Sequence, residues 1–552
     1  MKKLVFLLLL VLLVALGLVY YKKWRKNFLH KKVPELVFLE SDSLYRITYD
    51  TIDIDEVDGE IMIKNLQLIP DSTYKKPTDS SLPRNLLRVT VPELYITGVQ
   101  TDAAVLNKVV IASKVKLTSP VVTMYKNRYA AKNDNNSNDT SATTDKIYKI
   151  LLRGLQKIKV DTILITDADY HICKWPKGDT VFSGSHINAK LHNINISDST
   201  STDTSRILFA ENASLDVKKL VLHDKNGLYN YVFNEIKLIS AERSFAVEKL
   251  HIVPLLSEAA FMRAFKWQTD RLNFDLYNLL FKQVNVQEIL NGNLIANQLV
   301  IKKATFNIFR DKSYPEKKEK KVGHYPHQKL LKVPTDVAIK KIIVQSGYIE
   351  YKEKNPQTGS SGVVLFDNMS ASLLNVSNRN NKGIMTVNFN CRFLGKAPLT
   401  ATLQFYMNNK NGKFTANGSM KTTNATVFNT LSKPMALVEI NSGMINSLDF
   451  NLICDDYKAK GIIRLLYNDL KIKILKQEET GSVQNYKPKK VISLLANMTI
   501  VDGNPQKDNP VRIVTVNHQR DIYRSMFNLI WKAIFEGAQK TVGIDGKLKS
   551  KK

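Results

Sequence analysis

A phrase repeated four times constrains this chain more than any other feature. In "VKLTSPVVTMYK", Val115 to Lys126, apolar side chains stand at the first, third, eighth and tenth positions. The spacing returns in "ILITDADYHICK" (Ile163 to Lys174), in "LVIKKATFNIFR" (Leu299 to Arg310) and in "IIVQSGYIEYK" from Ile342. Residues on one face of an unbroken strand differ by even numbers. Here the parity flips between the third and eighth positions. The sixth position is small or ring-closed each time: Pro120, Ala168, Ala304 and Gly347. Both halves face the same way only if the strand absorbs an extra residue as a bulge or turns into a hairpin, and a small residue suits the bend. Strands bent at one level curl a sheet into a trough with an apolar inner face. In a β-sandwich, parity changes instead mark strands crossing between sheets. The pattern alone leaves both open. If a trough forms, its lining is Val115, Leu117, Val122, Met124, Ile163, Ile165, Tyr170, Ile172, Leu299, Ile301, Phe306, Ile308, Ile342, Val344, Ile349 and Tyr351.

Period-2 alternation dominates elsewhere. Residues 44–54, 59–69, 88–99, 219–233 and 383–393 read as strands, and 399–420 as a hairpin turning at "NNKNGK". Residues 462–475 read as a second hairpin turning at Asn468 and Asp469. Helical spacing is confined to 147–158, to 257–272 with Ser257 as cap, and to 521–540. The last puts Ile522, Met526, Ile530 and Ile534 on one stripe with Phe527, Trp531 and Phe535 beside it. It reads as an end cap on the β body in preference to an interfacial membrane helix. Residues 132–146 form a polar linker, and "RDKSYPEKKEKKVGHYPHQK" from Arg310 a charged one.

The N-terminus carries the next constraint. Leu4 to Tyr21 has no charged residue, and at 1.5 Å per residue it spans roughly 27 Å, against a bilayer core of about 30 Å. Lys2 and Lys3 precede it, and Tyr20, Tyr21 and Trp24 suit an interfacial belt. With no A-x-A site behind it, the segment reads as an uncleaved anchor in preference to a signal peptide. Charge does not settle its orientation, because a long following domain is where the positive-inside rule is weakest.

The 552 residues are 44% hydrophobic, enough for a sizeable core. Eighty Lys and Arg against 51 Asp and Glu give a formal charge of +29, which suggests an anionic partner. The basic residues are scattered and no nucleic-acid motif accompanies them, so nucleic acid is not expected. Cys173, Cys391 and Cys454 are too far apart in sequence for a disulfide framework or zinc site, and read as small buried hydrophobes. His324 and His327 form an H-x-x-H in a loop, without the helical spacing of a metalloprotease. "FSGSHI" at 182–187 is not a nucleophile elbow, and "GSSG" at 359–362 reads as a turn. Asp455 and Asp456 are adjacent, so on a strand they point to opposite faces. No catalytic residue, metal or cofactor is expected.

Four blocks in order resemble the AsmA/TamB-type superfamily of envelope proteins, and its shorter AsmA-like members in particular. They are "YRITYDTIDIDEVDGEIMIKNLQLIPD" with "LLRVTVPELYITGVQTD" behind the anchor; "WQTDRLNFDLYNLLFKQVNVQEIL" with "ATFNIFRDKSYP"; "YPHQKLLKVPTDVAIKKIIVQSGYIEYKEK" with "GVVLFDNMSASLLNVSN"; and "EINSGMINSLDFNLICDDYKAKGIIRLLYNDLKIKIL". The resemblance implies a transmembrane helix followed by an elongated, curved, antiparallel, taco-like β-groove that shields lipid tails. A few short helices and a C-terminal amphipathic helix accompany it. It implies a single-pass inner-membrane protein with its bulk in the periplasm, acting in phospholipid movement or envelope maintenance without enzymatic chemistry. Phospholipid and the inner membrane are the expected partners, with the outer membrane or other envelope proteins as further candidates. The expected division is an anchor at 1–33, groove segments at 34–131, 147–309 and 336–480, linkers at 132–146 and 310–335, and a C-terminal segment at 481–552. The rival readings are an anchored β-sandwich scaffold and, more remotely, a membrane-tethered glycan or lipid hydrolase.

Overall fold

The computed structural model describes residues 44–543 apart from 56, 71–84, 101–107, 128–154, 176, 201–202, 357–358, 380–382, 437, 478–485 and 489–499, and before them only Pro34, Phe38 and Ser41. The N-terminal apolar segment, the 132–146 stretch and most of the helix expected over 147–158 therefore lie outside the described residues. Among the described residues no helix is long and apolar enough to cross a membrane. The chain is mostly β and divides into two compact units, Met1–Leu250 with Leu280–Asn293 and His251–Leu279 with Leu294–Lys552.

In the first unit β1 (Tyr45–Thr48) and β2 (Thr51–Asp55) pair side by side along β3 (Glu60–Pro70). The sheet continues through β4 (Asn85–Thr97) to β5 (Val109–Thr118) and β6 (Val121–Asn127), two halves of one bent strand. Next come β7 (Lys157–Trp175), β8 (Thr180–Ser197), β9 (Asn212–His223) and β10 (Tyr229–Ile239). Beyond lie β11 (Ser244–Pro254), α1 (Glu258–Phe265), β12 (Arg271–Val284) and α2 (Val286–Leu290).

The second unit takes the end of β11 from His251, α1 and β12 as far as Leu279, and resumes with β13 (Leu294–Asp311), then α3 (Pro326–Leu330) and β14 (Val337–Lys354). An antiparallel run follows: β15 (Ser361–Ser377), β16 (Ile384–Phe393), β17 (Ala397–Tyr406) and β18 (Phe414–Met420). After β19 (Thr423–Asn424) and α4 (Asn429–Ala436), β20 (Val438–Cys454) pairs with β18 and β21 (Lys458–Gln477). β22 (Tyr486–Pro488) and β23 (Val514–Gln519) pair with β21, and α5 (Met526–Thr541) follows.

The four repeated phrases are neighbours in pairs. Val115, Leu117, Val122 and Met124 lie opposite Ile163, Ile165, Tyr170 and Ile172, with strands parallel. Leu299, Ile301, Phe306 and Ile308 lie opposite Ile342, Val344, Ile349 and Tyr351, also parallel. The antiparallel expectation is thus corrected: each unit holds a mixed sheet. A parallel neighbour needs a crossover of a dozen residues or more, and the sequence between β13 and β14 (312–336) is long enough for one, as is that separating β6 from β7. Most of the 310–335 linker falls between β13 and β14, while 132–146 lies outside the described residues.

The broken alternation is a row of bulges. In the first unit Asn65, Ser119, Asp167, His186 and Glu235 all have φ near +50°. Strand register aligns them across β3, β5–β6, β7, β8 and β10. At each, an extra residue is spent on the outer face and the apolar face resumes in the other parity: Ile61 and Ile63, then Leu66 and Leu68, are all buried. The small sixth position follows the left-handed residue in β5–β6 and β7, on the inside of the bend. In β14 the role falls to Gly347, where an added Cβ would sit 3.0 Å from Met369 Cβ.

Two further expectations are corrected. Residues 462–475 form no hairpin: β21 runs straight through, and Asp469 (φ +56°) is a bulge opposite the Gly443 region of β20. Residues 219–233 are not one strand but the β9–β10 hairpin, turning at 224–228. The helix expected over 257–272 is shorter, since β12 begins at Arg271, but Ser257 caps it as read, accepting from the Ala260 amide at 3.3 Å.

Candidate functional site

Register defines one continuous inner face in the second unit. From β13 it carries Leu299, Ile301, Phe306 and Ile308; from β14, Ile342, Val344, Ile349 and Tyr351. It passes through Val364 and Phe366 of β15 and Phe393 of β16, and onward to Phe405, Phe414, Cys454 and Ile463. Part of this face is sealed. Helix α5 lies on it with Met526, Leu529, Ala533 and Gly537 buried against a cluster that includes Leu452, Ile463 and Val516. The approach is close: a Cβ on Gly537 would stand 2.4 Å from Ile463 Cγ1. Segment 325–331 covers another part, with Tyr325 edge-on to Phe414 (5.5 Å) and His327 against Phe405 (4.9 Å).

The face over β13–β15 differs. Phe306, Ile308, Ile342, Val344, Ile349, Tyr351 and Phe366 are half-buried. Aromatic rings run along it, with Phe274 4.6 Å from Phe306 and Phe366 5.1 Å from Phe393. Trp531 of α5 borders it, 6.3 Å from Phe393, and Phe527 (64%), Trp531 (39%) and Phe535 (40%) keep an exposed aromatic stripe. An apolar surface left partly wet costs about 25 cal/mol per Å² until something covers it.

In the first unit the inner face divides likewise. Val115, Leu117, Val122, Met124, Ile163 and Ile165 are all buried, with Val115 fully so (0%), while their partners Tyr170 and Ile172 are half-buried. Leu299 and Ile301 are also buried. The sixteen residues picked from the repeat therefore share inner faces, but half are core and half border accessible apolar surface. Phe274, Phe366 and Trp531 were missed. Phe366 was findable from its alternation with Val364; Phe274 and Trp531 come close only through tertiary packing.

The inner face of β13 and β14 ends in charge. Arg310 follows Ile308 in phase and makes a bidentate pair with Asp270, both bonds 2.7 Å. Glu353 follows Tyr351 in phase, accepts from its hydroxyl at 2.8 Å and pairs with Lys312 at 2.5 Å. Burial, with Glu353 and Asp270 nearby, holds the Tyr351 hydroxyl far above its usual range. The 310–335 segment is fastened beside this end. Asp456 accepts from Gln328 Nε2 (2.8 Å), the Gly323 amide (3.2 Å) and Arg520 Nη1 (3.1 Å), with Arg520 and Asp456 both nearly inaccessible. Asp455 serves the local turn, accepting from the amides of Tyr457 and Lys458.

The three cysteines are free and buried, and burial pushes the thiols of Cys391 and Cys454 up to about 12, away from reactivity. His324 is exposed and His327 buried. Among the described residues no three metal-ligating side chains converge. Residues 182–187 lie within β8, and of the expected turn at 359–362 only Gly359 and Ser360 precede β15, which already includes Ser361 and Gly362. No known family model matches this chain, and no curated protein matches it in sequence.

Proposed function

We propose that this protein binds phospholipid, sheltering acyl chain along the accessible apolar inner face of its β-sheets, and that it does so anchored in the inner membrane by residues 4–21 with its bulk in the periplasm. The observation that carries the reading is the half-buried aromatic and aliphatic lining over β13–β15, formed from a repeated phrase and ending in paired charges. A buried methylene is worth about 0.8 kcal/mol, so a 16-carbon tail lying along such a face saves on the order of 10 kcal/mol relative to water. Moving or holding lipid in this way needs no covalent step, in keeping with cysteines and histidines that are buried or solvated apart from one another. The scaffold reading draws support from the sealed parts of both faces. It does not account for an apolar lining left open in the second unit.

The test is the phospholipid carried by the purified full-length chain, quantified by mass spectrometry after solvent extraction. Phe306→Asp, at a half-buried lining position, should lower lipid per chain several-fold while the far-ultraviolet circular dichroism stays unchanged. Unchanged lipid content in that folded variant would overturn the proposal.

A further inference from the structure

At the charged end of the β13–β14 face several cations are matched one by one with anions. Arg310 is held by Asp270, Lys312 by Glu353, Lys354 by Asp311 at 3.4 Å, and Arg524 by Glu316 at 2.9 Å. The ammonium groups of Lys321 and Lys329 make no hydrogen bond or ion pair with any described residue. Lys329 is exposed, but Lys321 is half-buried. Its backbone is fixed from both sides: its amide donates to the Ile522 carbonyl at 2.7 Å, and its carbonyl accepts from Arg520 Nη2 at 2.9 Å. The same guanidinium nitrogen donates to the Arg524 carbonyl at 3.0 Å, which draws Lys321 and Arg524 together. Burial first, then the repulsion of Arg310, Arg524 and Lys329, lowers the Lys321 pKa against the opposing pull of Asp270. An ammonium partly removed from water and set among like charges is stabilised by a bound anion.

We propose that Lys321, with Lys329 near it and Arg524 already held by Glu316 and Asp521, binds a phosphate group at the end of the apolar lining. The proposal rests on the groove reading and gives it polarity: with a phosphate at Lys321, acyl chains extend along Tyr351, Ile308, Ile349 and Phe306. Phosphate chemistry is shared by a phospholipid head group and free inorganic phosphate, and the experiment separates them.

Binding of a short-chain, water-soluble phosphatidic acid and of inorganic phosphate is measured on the full-length chain by titration calorimetry. The variants are Lys321→Glu, Phe306→Asp and, as a charge-matched control on the same segment, Lys320→Glu. Lys321→Glu should weaken phosphatidic acid by about tenfold or more, the scale of a charge-assisted contact, with Lys320→Glu staying within about twofold. Weakening in both Lys321→Glu and Phe306→Asp, with inorganic phosphate a poor competitor, identifies a lipid head-group site. Weakening in Lys321→Glu alone, with full competition by inorganic phosphate, supports an anion site for free phosphate and removes the groove from the account. Unchanged affinity in Lys321→Glu, with a loss in Phe306→Asp, overturns the anion site and leaves the groove standing.

Discussion

His327 shows how a single side chain can fasten a connection. It sits on a crossover segment in contact with Tyr325 and Phe405, is 1% exposed, and neither ring nitrogen has a hydrogen-bond partner. Burial lowers its pKa from 6.5 to about 4, against a weaker opposing pull from Asp456. Between those values the unfolded chain binds more protons than the folded one, so stability falls as pH drops from about 6.5 towards 4. The size of that loss is about 3 kcal/mol. His327→Leu, which keeps the volume and removes the titration, should flatten the dependence of the second unit's denaturation midpoint on pH across that window while leaving it nearly unchanged at pH 8. An equally steep acid limb in the variant would show that other groups carry it. From sequence alone this residue read as half of a solvated H-x-x-H; nothing in "GHYPHQK" tells which histidine the fold will bury.

At the scale of elements, the apolar phase of the repeats was legible because burial enforces it. A bulge that shifted no parity would have thrown Val122 or Ile349 to the outer face. What was not legible is strand direction, because parallel and antiparallel neighbours carry the same alternation and only the crossover decides between them. Asn468 and Asp469 show the same limit. That pair has turn composition, yet β21 continues because its partner β20 also deviates at Gly443. The end of helix α5 was placed well by its 3.6 period, but its packing face was not: of the stripe Ile522, Met526, Ile530 and Ile534 only Met526 is fully buried, Ile522 precedes the helix, and the buried line runs through Leu529, Ala533 and Gly537. Gly537 sits in that face because β21 lies too close for a side chain. Gly537→Val should destabilise the second unit by about 1–3 kcal/mol through overpacking, read as a lowered unfolding midpoint. No change would mean that α5 is not firmly seated.

For the molecule as a whole, sealed and open stretches of inner face predict different fates for the same chemical change. Val122 is 1% exposed in the first unit, and an aspartate there buries an unpaired carboxylate. Val122→Asp should cost about 4 kcal/mol or more of stability, seen as loss of cooperative unfolding, whereas Phe306→Asp in the second unit should fold and lose ligand. Equal stability losses would mean that both positions are ordinary core. The charged end of the face was present in the sequence as part of a linker, and read as solvated because eight of its residues from Arg310 to Lys332 are basic. Only the pairing of Arg310, Lys312 and Arg524, together with burial, singles out Lys321 from the other cations.

The most direct measurement is site-specific photocrosslinking along β14. A benzophenone amino acid is introduced singly at Ile349 and Tyr351 on the inner face, and at Tyr348 and Glu350 on the outer, and the chain is illuminated in native membranes. Acyl chains held along the inner face should give lipid adducts at Ile349 and Tyr351 and none at the two outer positions. Equal yields on both faces, or none on either, would contradict the account.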